Sequence, residues 1–185
     1  KLDALAAELR AIPRDVIVIP ANLSDLSEAE RLWQEASDGR IIDMLVNNAG
    51  LGRNDPFGNA AGWDRELSSI NVNMTALTYL MKKAIPHMDA AEGGKILNVA
   101  SAAGFMPGPG MAVYHATKAY VVSLSQAVAD ELRGTNVSVT ALCPGATQTN
   151  FFASAKMESV RLIKLSRPMA ASVVAQQGWW AAAGG

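Results

Sequence analysis

One short apolar run, Lys95 to Ala100, constrains the fold more than any other stretch of these 185 residues. Ile96, Leu97 and Val99 crowd neighbouring positions between Gly93-Gly94 on one side and Ser101 on the other. Too short for a helix and apolar on both faces, the run reads as a buried strand. Val16 to Ile19, Ile41 to Val46 and Asn136 to Cys143 have the same character, and stretches of helical periodicity separate them. Strands alternating with helices predict an α/β domain on a parallel sheet. In such a sheet ligands collect at the carboxyl ends of the strands, and Ser101 falls at one of those ends.

After Ser101 comes a loop with Gly104, Pro107, Gly108, Pro109 and Gly110, then a helical pattern from Met111 to Arg133 that carries Tyr114 and Lys118 four residues apart. That spacing puts both side chains on one face of the helix, within reach of each other. A phenol titrates near ~10, too high for a base at neutral pH, and an ammonium within ~4–6 Å lowers an acid's pKa by roughly 1–3 units. The pair therefore predicts a tyrosine tuned to exchange a proton with an alcohol or carbonyl, while Ser101 hydrogen-bonds the substrate oxygen. Tyr-x-x-x-Lys alone is an ordinary pattern on amphipathic helices. Its neighbours give it chemical meaning.

With Ser101 thirteen residues before Tyr114, the chain resembles the short-chain dehydrogenase/reductase family, whose active site has Ser, Tyr and Lys at this spacing. Asn47-Asn48-Ala49-Gly50, after the run at Ile41 to Val46, is similar to that family's Asn-Asn-Ala-Gly signature beside the cofactor. Asn73, in Asn73-Met74-Thr75-Ala76, matches the fourth catalytic residue better than Asn71, which Val72-Asn73-Met74 follows. Pro144-Gly145 with Thr147 and Thr149 matches a later cofactor loop, and the resemblance runs from about Leu2 to Gly178.

The resemblance implies a Rossmann-like, doubly wound parallel sheet with helices on both faces. It implies an oxidoreductase that moves hydride between NAD or NADP and a small alcohol or carbonyl compound. Tyr114 would be the general acid/base and Ser101 would orient the substrate oxygen. Lys118 would lower the tyrosine pKa and bind the nicotinamide ribose, and Asn73 would disturb its helix locally and support a proton relay. The implied cofactor contacts are Asn48, Ala49, Gly50, Tyr114, Lys118, Pro144, Gly145, Thr147 and Thr149, with Asn22 where the family commonly has an aspartate against the adenine. A homodimer or homotetramer, paired through the two long helices, is also implied.

Some of the family's pattern is missing. No G-x-x-x-G-x-G precedes the first helix, although that turn holds a pyrophosphate on backbone N–H groups at a helix N-terminus. The resemblance thus implies a chain lacking the first two strands and the last, with an open edge on the strand before Asn47. A second reading follows from the same gap: a fragment or pseudo-enzyme that keeps only an interaction surface on its long helices.

A net charge of −1 offers no basic field for nucleic acid, and no run of ~18 uncharged apolar residues is present to span a membrane. Cys143, the single cysteine, has no internal disulfide partner and reads as buried structure in a reducing, cytoplasmic setting. Neither His87 nor His115 has a second histidine or a cysteine at metal-ligand spacing, so no metal site is expected. His87 reads as surface and His115 as pointing off the catalytic face. Without repeats or low-complexity linkers, residues 1–185 read as one domain.

The remaining segments are legible by periodicity. Leu2, Leu5, Ala6 and Leu9 form a helical face, and Ser27 with Glu30 predicts a capping box for a helix to about Ser37. Ala29, Leu32, Trp33 and Ala36 are its packing stripe. Leu51 to Gly58 is a loop in which Arg53 reads as solvated and Phe57 as packed. A long amphipathic helix is predicted from Trp63 to Met88, a substrate flap over Phe151 to Arg167, and a last helix from Met169 to Ala183 with Trp179-Trp180 in core or interface.

Overall fold

In the computed structural model, which describes residues 2–12, 15–149, 151 and 168–184, three of the four expected strands form one parallel sheet. They are β1 (Met44–Asn47), β2 (Gly94–Val99) and β3 (Val137–Leu142), in the order β1-β2-β3. Leu45 pairs with Ile96 and Ile96 with Val139, so one pleat carries these three side chains to the same face. There they meet Leu77, Met81, Ala84 and Met88 of helix α4 (Leu77–Ala90) and Val121 and Val122 of helix α5 (Ala112–Glu131).

Leu97 and Leu142 face the other way, toward α6 (Ala171–Gly184), whose buried residues Val174, Gly178 and Ala182 recur every four positions. A Cβ on Gly178 would come 2.7 Å from Leu142 Cδ2, so glycine lets this helix lie directly on the sheet. Helices therefore cover both faces, as expected. Each fully buried aliphatic side chain contributes about 1.5–3 kcal/mol, which makes this sandwich the stable centre of the molecule.

The N-terminal part differs. Helix α1 (Leu2–Leu9) forms and buries Ala6, but Leu2, Leu5 and Leu9 remain exposed. Val16 to Ile19 does not become a strand. A strand exists by pairing, and none of the described strands lies beside this segment, which leaves Ile17 exposed. Helix α2 (Leu26–Ser37) is capped by Asp25 rather than Ser27: its carboxylate accepts from Ser27 N at 2.9 Å and from Ser27 Oγ at 2.7 Å. A carboxylate two residues ahead is the stronger acceptor for the orphan N–H groups.

His87 is not a surface residue. Its Nε2 accepts from Ile42 N at 3.0 Å, and its ring stands edge-on to Trp33 at 5.5 Å, so it supplies the acceptor that the chain entering β1 lacks. Trp33 packs against the core. Trp179 and Trp180, by contrast, are 56% and 62% exposed and outside the core, because they sit about 100° and 200° round the helix from Gly178. β4 (Thr147–Gln148) and β5 (Met169–Ala170) make a short parallel pair, so α6 starts two residues later than expected. The flap expected over Phe151 to Arg167 lies, apart from Phe151, outside the described residues. No helix among the described residues is long and apolar enough to cross a membrane.

Candidate active site

The helix expected from Trp63 to Met88 is not continuous. Helix α3 (Trp63–Ile70) passes into a π-helical turn, Asn71–Ala76, before α4 begins. Such a turn marks a place where tertiary contacts override the i→i−4 ladder. Here the contacts belong to Asn73, which is 1% exposed. Its Oδ1 accepts from Leu51 N at 2.8 Å, and its Nδ2 donates to Leu51 O at 2.8 Å and to Thr117 Oγ1 at 2.9 Å. Asn71, two residues earlier and half-buried, donates instead to Ser24 O at 2.9 Å. The two asparagines thus face different parts of the molecule.

Ser101 leaves β2 and caps the 3₁₀ turn Ala102–Phe105, its Oγ accepting from Ala103 N at 3.1 Å. The parallel strands stop on this edge, and the first turn of α5 brings Tyr114 to it, near enough to the Ser101 hydroxyl for that group to bear on the phenol's titration. One turn on, Lys118 is buried, its Nζ donating to Val99 O at 2.7 Å and standing 5.9 Å from the centre of the Tyr114 ring. A Cβ built on Gly50 would lie 3.4 Å from Lys118 Nζ and 3.5 Å from Asn73 Oδ1, so these three residues form one cluster. Phe151 packs against Tyr114 with ring centres 5.1 Å apart and planes tilted by 40°, and a Cβ on Gly52 would meet Phe151 Cζ at 2.7 Å and Tyr114 Cδ2 at 2.9 Å. Only a glycine fits beneath these two rings.

The electrostatics correct one expectation. Tyr114 is pushed up from its ordinary value, because burial outweighs the opposing hydrogen bond from Ser101. The Lys118 ammonium engages the Val99 carbonyl rather than the phenol, and burial draws Lys118 itself down to about 8, with the neighbouring Cys143 opposing. Burial likewise pushes the Cys143 thiol up, against the pull of Lys118. At pH 7 the arrangement is a neutral phenol beside a cationic lysine.

Around this cluster lie the strand-end loops that hold the residues expected at a cofactor. Asn48, Ala49 and Gly145 are exposed and Gly50 is half-buried, leaving backbone open next to Lys118. Pro144 O accepts from Ala102 N at 2.9 Å, tying the loop after β3 to Ser101's turn. Thr147 Oγ1 donates to Gly145 O at 3.0 Å, and Thr149 Oγ1 accepts from Phe151 N at 3.3 Å. Asn22 stands apart in its own turn, its Oδ1 accepting from Ser24 N at 3.2 Å and Ser24 Oγ at 2.8 Å.

Several residues here were not anticipated. Thr117 links Asn73 to α5. Asn47 Nδ2 donates to Asn98 Oδ1 at 2.9 Å, and Asn98 Nδ2 to Ser125 Oγ at 2.9 Å, a buried polar chain that locks β1, β2 and α5 together. An asparagine in the middle of the Ile96–Val99 run was its visible signal. Arg53 is not solvated: it pairs with Asp55 at 2.6 Å, the two side chains 20% and 16% exposed. Phe57, expected to pack, is 72% exposed.

A family model described as short chain dehydrogenase matches residues 1–159. Nodulation protein G of Rhizobium meliloti is 36% identical over 146 residues, which are 78% of this chain and 58% of that protein. A 3-oxoacyl-[acyl-carrier-protein] reductase of Synechocystis is 33% identical over 167 residues, 89% of this chain and 67% of the relative. Among solved structures, the short-chain dehydrogenase from Sphingobium yanoikuyae in complex with NADPH superimposes with a TM-score of 0.84 at 32% identity, covering 99% of this chain and 69% of that one. The 3-ketoacyl-(acyl-carrier-protein) reductase from Brucella melitensis complexed with NADH gives 0.79 at 27% identity, covering 97% and 76%. The chain thus spans about three-fifths of the length of the first curated relatives it matches, 58% in each case. Matched over 159 of its 185 residues, and folded as members of known structure are, this chain belongs to the short chain dehydrogenases, a Rossmann-fold family of NAD(P)-linked oxidoreductases.

Proposed function

We propose that the whole protein interconverts an alcohol and a carbonyl compound, with Tyr114 as the proton-handling group. The observation that carries this reading is Tyr114 at the carboxyl edge of the sheet, with the Ser101 hydroxyl near it and, one helical turn on, a buried Lys118 whose Nζ stands 5.9 Å from the centre of the ring. A nicotinamide dinucleotide, when bound, supplies or takes the hydride. Gly50, Pro144, Gly145 and Lys118 are the residues of this chain that would hold its nicotinamide end, with Asn48, Ala49, Thr147 and Thr149 lining the approach and Asn22 on the adenine side.

In the reducing direction Ser101 donates a hydrogen bond to the substrate oxygen and holds it against the phenol. Tyr114 gives its proton to that oxygen as the carbonyl carbon gains its new C–H bond, and it takes a proton back in the oxidising direction. A phenol held protonated by burial is ready for the first of these steps. Lys118 places a positive charge near the phenolate that results, and Asn73 fixes the loop carrying Gly50.

The Synechocystis relative is a 3-oxoacyl-[acyl-carrier-protein] reductase and the Brucella melitensis structure a 3-ketoacyl-(acyl-carrier-protein) reductase, which makes a 3-oxoacyl thioester the first substrate to offer. The test is turnover of acetoacetyl-CoA by the whole protein with NADPH and with NADH. Tyr114→Phe keeps the ring, removes the proton and should lower kcat by roughly 10²–10⁴-fold. Unaltered turnover in that variant would end the assignment. The second reading, a chain that retains only an interaction surface, draws on the lack of a G-x-x-x-G-x-G turn in these residues. A titration of tryptophan-to-NAD(P)H energy transfer separates the two, since that reading requires no binding.

A further inference from the structure

Thr117 lies between Tyr114 and Lys118 on α5 and is 1% exposed, so its hydroxyl answers only to protein partners. It has two. Thr117 Oγ1 donates to Tyr114 O at 2.8 Å and accepts from Asn73 Nδ2 at 2.9 Å. The other Nδ2 proton goes to Leu51 O, and Asn73 Oδ1 accepts from Leu51 N. One continuous brace therefore runs from the loop after Gly50, through the π turn, to the backbone of the catalytic turn of α5.

We propose that Thr117 is a positioning residue that acts through Asn73, fixing the distance between the Gly50–Leu51 loop and the turn carrying Tyr114 and Lys118. This rests on the reading of Tyr114 as the proton-handling group. The bonding leaves Asn73 no freedom: a primary amide has two donor hydrogens and one carbonyl oxygen, and all are engaged in a site without water access. Take away the Thr117 oxygen and one buried donor has no acceptor. The amide then regains its partner only by rotating, which gives up the paired bonds to Leu51. Gly50, next in the chain, carries the backbone that lies against Lys118 Nζ. A change at Thr117 therefore reaches the ammonium and the phenol without either being touched.

The experiment is a cycle of variants in the whole protein: Thr117→Val, Thr117→Ser, Asn73→Ala, and Asn73→Ala with Thr117→Val. Valine keeps the shape and removes the hydroxyl. Thr117→Val should lower kcat for NADPH-dependent acetoacetyl-CoA reduction by about 10–100-fold, change the substrate KM by less than about threefold, and displace the alkaline limb of the pH profile. Thr117→Ser should restore most of that turnover. In the Asn73→Ala background, Thr117→Val should cost less than about twofold, because the partner through which it acts is gone.

A Thr117→Val protein with the parent's rate and pH profile overturns the proposal, and so do losses at Asn73 and Thr117 that simply multiply. Tyr114→Phe, run alongside, separates the two levels: if it keeps full turnover, the acid/base assignment fails. The brace is then still decided by chemical denaturation of the parent, Thr117→Val, Asn73→Ala and the double variant. Coupling between Asn73 and Thr117 should change the unfolding constant by roughly 2- to 150-fold relative to additive behaviour, and additivity there overturns it.

Discussion

Residues 44–142 and residues 2–25 carry the same kind of amphipathic pattern, yet the pattern ends in opposite places. In the first part Leu77, Met81 and Met88 of α4, Ile96 of β2 and Val121 of α5 are buried against one another. In the second, Leu2, Leu5, Leu9, Ile12 and Ile17 are all more than two-fifths exposed, and a stretch with strand character has no neighbour to pair with. Periodicity specifies which element a segment forms; burial requires a partner surface. The proposed site follows the same division. Ser101, Tyr114, Lys118 and Asn73 stand on the closed part, whereas Asn22, the residue assigned to the adenine side, stands in the open part and is held chiefly by its own turn.

Hydrogen exchange in the native protein should give the largest contrast. Backbone amides of β2, paired on both sides, open only with most of the structure, while residues 15–20 have no ladder to open. If the closed part has the ~5–15 kcal/mol stability of ordinary domains, protection should differ by at least about 10³-fold. Slow exchange at Val16 to Ile19 would break the comparison, because it would mean that this segment is paired after all.

The two asparagines of the π turn sharpen it next. Asn73→Ala removes three hydrogen bonds from a buried position and leaves Leu51 and Thr117 short of partners, so stability should fall by about 2–4 kcal/mol and turnover with it. Asn71→Ala removes one half-buried bond to Ser24 O and should cost less than about 1 kcal/mol. Denaturant midpoints of the two variants check this, and equal losses would place the Asn22 turn within the closed part.

Lys118 gives a smaller effect, with a sign that depends on pH. Its folded pKa of about 8 lies below the ordinary 10.5, so between those values the unfolded chain holds the extra proton and stability rises with pH. Below about pH 8 the penalty is complete, of the order of 3 kcal/mol. Lys118→Met removes it and also loses the bond to Val99 O, about 1 kcal/mol, for a net gain of about 2 kcal/mol at pH 7. That gain should shrink as pH rises through the window and give way, above 10.5, to a net cost of about 1 kcal/mol from the lost bond. No gain at any pH would show that the ammonium is solvated.

These contrasts also explain what was legible in the residues alone. The strands at Lys95 and Asn136 and the helix with Tyr114 and Lys118 rest on local periodicity, which sequence displays directly, whereas the preference for Asn73 over Asn71 rests on a family motif. The strand predicted at Val16, the tyrosine pKa and the helix cap at Ser27 depend on which groups meet in space. The lysine was expected to set the phenol's titration, but it turns to Val99 O, a contact between residues 19 apart in the chain that no spacing rule reveals. Thr117 escaped for the same reason. A threonine inside a helix signals nothing until Asn73, 44 residues earlier, is found against it.

The smallest effect should come from the tryptophan pair at the end of α6. Trp179 and Trp180 lie off the stripe of Val174, Gly178 and Ala182 that seats the helix on the sheet, so truncating either removes few contacts within the chain. Trp179→Ala and Trp180→Ala should each shift stability by less than about 0.5 kcal/mol at low protein concentration, as surface substitutions do. The helix would then be held by its small residues alone, with the aromatic faces idle in the monomer. Repeating the measurement at high concentration gives the comparison its last test. A cost above about 2 kcal/mol that appears only there means that a second copy covers the pair, because association stabilises the folded state by mass action. A cost that is large at both concentrations means that the rings are buried within the chain, and α6 then belongs with the closed part over its whole length.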